Sequence, residues 1–303
     1  MSTVEVRAFR RGDRDQLTDL VNAHVQAVTP GVSVPVNAVL SQIERQPGEF
    51  VVDPWVRERT TLVADQRGRI SAAAHLVRYG TGREVGPSYR GTAELQWLLH
   101  WLDAPFWPDA SRAAATLTDA VVAQARDWRA PRLVAEGALP APGVYGIPEQ
   151  WPHIRTLLRG AGFTPGEHTE TVLLATVDAL PRPPAPGGLT VRRTLGVNGT
   201  RFTAYRGAIE AGAIEVDAGV VGPTRLASQP GWADLGNLWT ANDHRRRGIA
   251  TWLLGQAADW LTLGGTTRLL AYTEPDEPAL HTFLTHAGFA PLTQTSRGWW
   301  LDL

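Results

Sequence analysis

The chain has 303 residues, 43% hydrophobic and 19% charged, enough apolar material for sizeable cores across about two domains at ~150 residues each. Its 29 basic and 30 acidic residues leave a formal charge of −1, which argues against a dedicated nucleic-acid binder. There is no Cys, and every basic residue is Arg, so disulfides, thiolate chemistry and lysine Schiff bases are excluded. No run approaches the ~20 apolar residues that span a bilayer. Met1-Ser2-Thr3-Val4-Glu5 opens no signal peptide, and the expectation is a cytoplasmic protein that meets no membrane.

In chain order, Val4–Arg10 predicts a strand, followed by helices over Asp13–Val28 and Val36–Arg45. Thr60–Ala64 and Ile70–Val77 flank the hairpin composition Asp65-Gln66-Arg67-Gly68. A strand near Ala93–Trp101, a helix near Ser111–Trp128, a strand at Arg132–Glu136 and a helix over Pro148–Gly160 follow. Pro142-Gly143 and Gly222-Pro223 read as turns. Pro181-Arg182-Pro183-Pro184-Ala185-Pro186-Gly187-Gly188 favours an extended segment and is expected to be a linker between domains at 1–180 and 189–303. Beyond it, strands are expected at Leu189–Arg193, Thr200–Arg206, Ile214–Val220, Trp232–Trp239 and Arg268–Thr273. Gly248–Leu263 and Pro278–His286 predict helices, and Phe289–Thr293 with Gly298–Leu303 a closing hairpin.

The two portions read as diverged copies. Ala93-Glu94-Leu95-Gln96-Trp97-Leu98-Leu99 is similar to Ala233-Asp234-Leu235-Gly236-Asn237-Leu238-Trp239. Ala125-Arg126-Asp127-Trp128 is similar to Ala257-Ala258-Asp259-Trp260. Thr156-Leu157-Leu158-Arg159-Gly160-Ala161-Gly162-Phe163 is similar to Thr282-Phe283-Leu284-Thr285-His286-Ala287-Gly288-Phe289. Three matches in the same order, at offsets of 140, 132 and 126, argue for internal duplication.

The stretch Leu238 to Leu254 carries the chemistry. An apolar strand ends, a polar turn follows, and Arg245-Arg246-Arg247-Gly248-Ile249-Ala250-Thr251 runs into an amphipathic helix. The first amides of a helix lack intrahelical partners and carry partial positive charge. Gly248 and Ala250 let the backbone approach a ligand, and three arginines add fixed charge. Such a terminus suits a phosphate or pyrophosphate.

This segment resembles the acyl-CoA-binding motif of the GNAT superfamily of N-acyltransferases, Arg/Gln-x-x-Gly-x-Gly/Ala, met by Arg245, Gly248 and Ala250. The resemblance covers 188–303 by motif and 4–177 by element order. It implies an α/β fold of the α+β type, with two units that each hold a mixed, mostly antiparallel twisted sheet flanked by helices. It further implies acetyl-CoA as cosubstrate, with the backbone of Leu238, Trp239 and Thr240 pairing with pantetheine. Amides from about Arg246 to Thr251 would hold the pyrophosphate, beside a V-shaped slot between the strands of Leu238 and Tyr272.

The first copy departs from the motif. Asp103-Ala104-Pro105-Phe106-Trp107-Pro108-Asp109-Ala110-Ser111-Arg112 has no glycine and two acids, so this copy is expected to be a scaffold or a wall of the acceptor pocket. Asp234 stands where the family's histone-acetylating members carry a Glu that acts as base, so the resemblance implies Asp234 as the candidate base. The position of the family's usual acid, a Tyr four residues before the Gly-Phe pair, is Leu284, and His281 is the substitute one turn earlier. Tyr272, on a strand, is the less favoured candidate. Glu210, Glu215 and Asp217 could attract a cationic acceptor. The histidines show no metal-binding spacing, and no metal is expected.

The reading is an N-acetyltransferase that acts by direct attack on a small-molecule amine, as a monomer or homodimer. The alternatives are a non-catalytic acyl-CoA-binding or sensing protein, or a nucleotide or phosphate binder using the same helix terminus.

Overall fold

The computed structural model describes residues 3–44, 54–104, 109–137, 139, 144–197, 199–218 and 230–303. Arg45, the stretch from Pro105 to Pro108, the turns at Pro142-Gly143 and Gly222-Pro223, and Gly219-Val220 at the end of an expected strand lie outside the described residues. The elements, in chain order, are β1 (Glu5–Ala8), α1 (Arg14–Val28), α2 (Val36–Ile43), β2 (Val56–Gln66), β3 (Arg69–Tyr79), β4 (Ala93–His100), α3 (Ala110–Asp127), β5 (Arg132–Ala135), β6 (Ile147–Pro148) and α4 (Pro152–Gly160). They continue with β7 (Thr169–Thr176), β8 (Thr190–Gly196), β9 (Gly199–Arg206), β10 (Ile209–Asp217), β11 (Trp232–Thr240), α5 (Ile249–Leu263), β12 (Arg268–Thr273), α6 (Pro278–His286), β13 (Ala290–Ser296) and β14 (Trp299–Asp302).

The chain forms two compact units, Met1–Thr169 with Thr295–Leu303, and Glu170–Gln294. In the first unit the sheet order is β1-β2-β3-β4-β5-β14. Every neighbouring pair is antiparallel except β4 and β5. In the second unit the order is β13-β7-β12-β11-β10-β9-β8, with β11 and β12 parallel. Each parallel pair is joined through a helix, α3 or α5, as a crossover requires.

The second unit's core shows why its elements form. Ile249, Trp252, Leu253, Ala257 and Leu261 repeat at helical spacing along α5 and are buried against Phe202, Ile214, Val216, Ala233, Leu235, Leu269 and Ala271 of the strands. Alternate residues of β12, Leu269 and Ala271, share that face.

The division differs from the expected boundary. The proline-rich segment lies inside the second unit, where the guanidinium of Arg182 meets Asp259 at 2.7 Å and donates to the carbonyls of Val177 and Leu180. A Cβ at Gly255 of α5 would meet the Pro181 carbonyl oxygen at 2.9 Å. The segment is packed against a helix with its arginine bonded, within one unit and not at the boundary between two.

Three further expectations are corrected. The closing hairpin does not form, because β14 pairs with β5 in the first unit whereas β13 lies beside β7 in the second unit's sheet. A strand absent from the sequence reading, β7, runs antiparallel to β12 from Thr171 opposite Thr273 to Thr176 opposite Arg268. Helix α4 begins at Pro152, since Ile147 and Pro148 form β6 with Ser296 and Thr295. Strands β8 and β9 pair as a hairpin, from Thr190 opposite Tyr205 to Gly196 opposite Gly199.

Candidate active site in the second unit

Strand β11 is held along both edges only at its start. Trp232, Ala233 and Asp234 pair with Arg268, Leu269 and Leu270, and there the pairing ends, although β12 continues to Thr273 and β11 to Thr240. On the other side β11 stays paired with β10 as far as Thr240 opposite Gly212. The two parallel strands therefore part after Asp234, and among the described residues no strand pairs with the outer edge of Leu238, Trp239 and Thr240. A bulge accompanies the parting: Leu235 lies opposite Val216 and Leu238 opposite Ile214, so Gly236 and Asn237 face the single residue Glu215.

Glu215 fastens this bulge. Its carboxylate is 1% exposed and accepts from Arg201 Nη1 of β9 and from Asn237 Nδ2 of β11, both at 3.0 Å. Buried charge is tolerated when paired and hydrogen-bonded in this way. Glu215 thus spans three strands, which corrects the expectation of an acid available to draw in a cation. Glu210, exposed, accepts from the Tyr205 hydroxyl at 3.1 Å, and Asp217 lies in register with Asp234.

Past Thr240 the chain makes a short 3-10 turn at Asn242–His244 and then enters α5. Arg245 folds back, its Nε 3.3 Å from the Thr240 carbonyl oxygen. Arg246 (φ 62°) and Gly248 (φ 76°) both take left-handed backbone, on either side of Arg247. Such alternation builds a concave array of N–H groups, and a non-glycine residue holds it only where its surroundings enforce it. Gly248 caps the helix without a side-chain hydrogen bond, and a Cβ there would meet nothing within 4 Å. Trp252 N–H donates to the Gly248 carbonyl at 3.0 Å, closing the first turn and leaving the amides of Ile249, Ala250 and Thr251 ahead of it. Arg245, Arg246 and Arg247 are exposed around this terminus. A terminus so arranged is suited to a phosphate group.

The two predicted catalytic residues are not brought together. Asp234, 4% exposed, accepts a 2.9 Å hydrogen bond from the Tyr272 hydroxyl. His281 Nδ1 lies 3.2 Å from Thr273 Oγ1. Neighbouring residues of a strand point to opposite faces, so Tyr272 and Thr273 mark opposite sides of β12. Asp234 is on one side, and His281 is on the side of the α5 core. Leu284 is fully buried in that core. Sequence reasoning missed the Asp234–Tyr272 contact, although a Tyr two positions past the partner of Asp234 on a parallel strand is a readable signal.

The first unit repeats the frame without the terminus. β4 and β5 pair only from Ala93 opposite Leu133 to Leu95 opposite Ala135, and Gln96 makes the matching bulge. Glu94, 7% exposed, accepts from the Tyr79 hydroxyl of β3. At α3, however, Asp103 Oδ1 accepts the Ser111 N–H at 2.8 Å, and bonds to the first helical amides hold this carboxyl below its usual range. Leu95, Trp97, Ile147, Trp151 and Leu158 line the gap beside β4 and leave about 10 Å³, room for one water. Among the described residues no group of acids and histidines forms a metal site.

Residues 200–289 match the model of the Acetyltransferase (GNAT) family. No curated protein sequence matches the chain. Among solved structures, a tandem GNAT protein from the clavulanic acid biosynthesis pathway aligns over 99% of this chain and 98% of its own, with a TM-score of 0.60 at 14% identity. A GCN5-related N-acetyltransferase from Sphaerobacter thermophilus covers 99% and 95%, with a TM-score of 0.59 at 15% identity. A GCN5-related glucosamine N-acetyltransferase region of a fungal multi-domain β-N-acetylglucosaminidase aligns over 99% of this chain and 38% of its own, with a TM-score of 0.63 at 13% identity. These identities speak to fold alone. Residues 200–289 of the second unit thus match the model of the GNAT acetyltransferase family, and the chain shares the two-unit fold of tandem GNAT proteins.

Proposed function

We propose that the second unit transfers an acetyl group from acetyl-CoA to the primary amine of a small molecule, by direct attack in a ternary complex. The observation that carries this reading is the helix terminus at Ile249, with its amides ahead of the first turn, left-handed backbone at Arg246 and Gly248, and open space at Gly248. The pyrophosphate would take the amides from Arg246 to Thr251, with Arg245, Arg246 and Arg247 supplying charge. Pantetheine would add to the unpaired edge of Leu238, Trp239 and Thr240 as a strand adds to a sheet. Its thioester would then enter the gap that opens after Asp234.

An amine of pKa ~10 is about one part in a thousand free base at pH 7, so a carboxylate able to accept its proton is worth having. Asp234 is the candidate base, placed at the point where the strands part. With no Cys in the chain, a thiol acyl-enzyme is excluded and direct attack is the simpler route. The first unit, its helix amides taken by Asp103, serves as scaffold.

Calorimetric titration of acetyl-CoA into the wild type and an Ala250→Glu variant tests the reading. An acid in the first turn favours the helix but repels pyrophosphate, so the variant folds and binds at least a hundredfold more weakly. A wild type that does not bind acetyl-CoA overturns the proposal. A non-catalytic acyl-CoA binder is favoured by Leu284, buried where relatives place the acidic Tyr. Binding without turnover across a panel of primary amines would establish that reading instead.

A further inference from the structure

We infer that Tyr272 is the proton donor to the departing thiolate, working as one relay with Asp234 across the gap between β11 and β12. The inference rests on the acetyltransferase reading and assigns the acid which that reading leaves open. Three observations carry it. The phenol of Tyr272 on β12 donates to the buried carboxylate of Asp234 on β11 at 2.9 Å. This bond joins the two strands just where their pairing stops, at Asp234 opposite Leu270. The rival acids are placed elsewhere: His281 is bonded to Thr273 on the opposite side of β12, and Leu284 has no proton to give. The first unit sharpens the point, because Glu94 draws its phenol from β3, on the side where β4 remains paired, and not from across the gap.

The relay balances. The amine enters as free base and its nitrogen bonds to the thioester carbonyl carbon, and the carbon–sulfur bond breaks as the carbonyl re-forms. The proton lost from nitrogen goes to Asp234, the phenolic proton of Tyr272 goes to sulfur, and the Asp234 proton restores the phenol. One proton has moved from nitrogen to sulfur, and both side chains end as they began. A phenol is a weaker acid than a thiol, so Tyr272 gives its proton to the thiolate only as the protonated Asp234 carboxyl, a stronger acid, replaces it.

The test compares Tyr272→Phe, Asp234→Asn, the double variant and His281→Ala, all in the full chain, by steady-state release of CoA thiol from acetyl-CoA. Acetyl-CoA binding is followed by calorimetry. Tyr272→Phe should lower kcat about a hundredfold while acetyl-CoA binding stays within about threefold. Because the two groups act as a unit, the double variant should be no slower than the slower single variant. His281→Ala should keep kcat within about threefold. A Tyr272→Phe enzyme with near wild-type kcat, or a His281→Ala enzyme slowed as much as the relay variants, overturns the relay while leaving the transferase intact. A purely structural role for Tyr272 would weaken acetyl-CoA binding and thermal stability together, and that result also overturns it. A wild type that binds acetyl-CoA but releases no thiol with any amine removes the transferase reading itself.

Discussion

The N-termini of α3 and α5 are the same structural feature finished in different ways. Both follow a strand that parts from its parallel neighbour after three paired residues, and both strands carry a bulge near the parting. At α3 the amide of Ser111 is satisfied by the chain's own Asp103, whereas at α5 the cap is a bare, left-handed Gly248. The gap beside β4 is filled by Trp97 and Trp151, and at the start of α6 the residues that align with Trp151 and His153 are Glu277 and Ala279. A helix terminus exerts much the same field in each case. Whether it becomes a ligand site depends on whether the protein supplies the anion itself.

The largest test of this contrast is Trp151→Ala. Trp151 is 2% exposed, and its indole N–H donates to the His24 carbonyl. Truncation should cost the first unit about 3–5 kcal/mol, measured by denaturant unfolding. Acetyl-CoA affinity should be unchanged, and a loss of binding would break the assignment of the cofactor to the second unit.

Acid comes next. His24 Nε2 lies 3.1 Å from His153 Nε2, and the His100 and His153 rings are 4.8 Å apart. Burial pushes His24 down to about 4 against the opposing hydrogen bond to the Leu20 carbonyl, and burial with the neighbouring imidazoles pushes His153 to about 3. Burial also lowers His100, with the hydrogen bond to the Trp101 carbonyl and then Asp103 partly offsetting it. The folded values lie below the unfolded value of ~6.5, so stability is complete above that pH and falls as pH drops toward 4. For His24 the loss by pH 4 is about 3 kcal/mol, on the scale of 1.36 kcal/mol per unit. Thermal unfolding across this range should show the first unit failing early, and a His24→Gln variant should flatten the slope. An unchanged slope would mean that these imidazoles charge freely in the fold.

Smaller effects sharpen the comparison at the two helix ends. Arg247→Ala should weaken acetyl-CoA binding about tenfold at low salt and less at high salt, since an exposed arginine acts through a screened field. Asp103→Ala should destabilise the first unit by about 1 kcal/mol, the usual value of a lost helix cap. It should not create acetyl-CoA binding there, because Trp97 and Trp151 still fill the gap.

Much of this was legible in the residues. The α6 span matches its apolar spacing from Pro278 to His286, and β12 matches Arg268–Thr273. The glycine before Ile249 announced where α5 starts, with left-handed backbone at the cap, because that signal is local. Asp103 was legible as an acid that would oppose phosphate, though its role as the helix's own ligand was not.

What the sequence determined by itself, then, was most of the elements, though not β6 or β7, together with the duplication and the motif at Arg245, Gly248 and Ala250, all written in short-range periodicity and backbone preference. Only the tertiary structure decided which strands pair, sending β13 and β14 to different sheets although just Arg297 and Gly298 separate them. It alone placed Tyr272 on Asp234, thirty-eight residues away in sequence, and set His281 on the far side of the strand. The physical reason is that a strand's hydrogen-bonding edges carry no address. Its partner is the edge left open by the rest of the chain, and side chains meet across a sheet only once that choice is made.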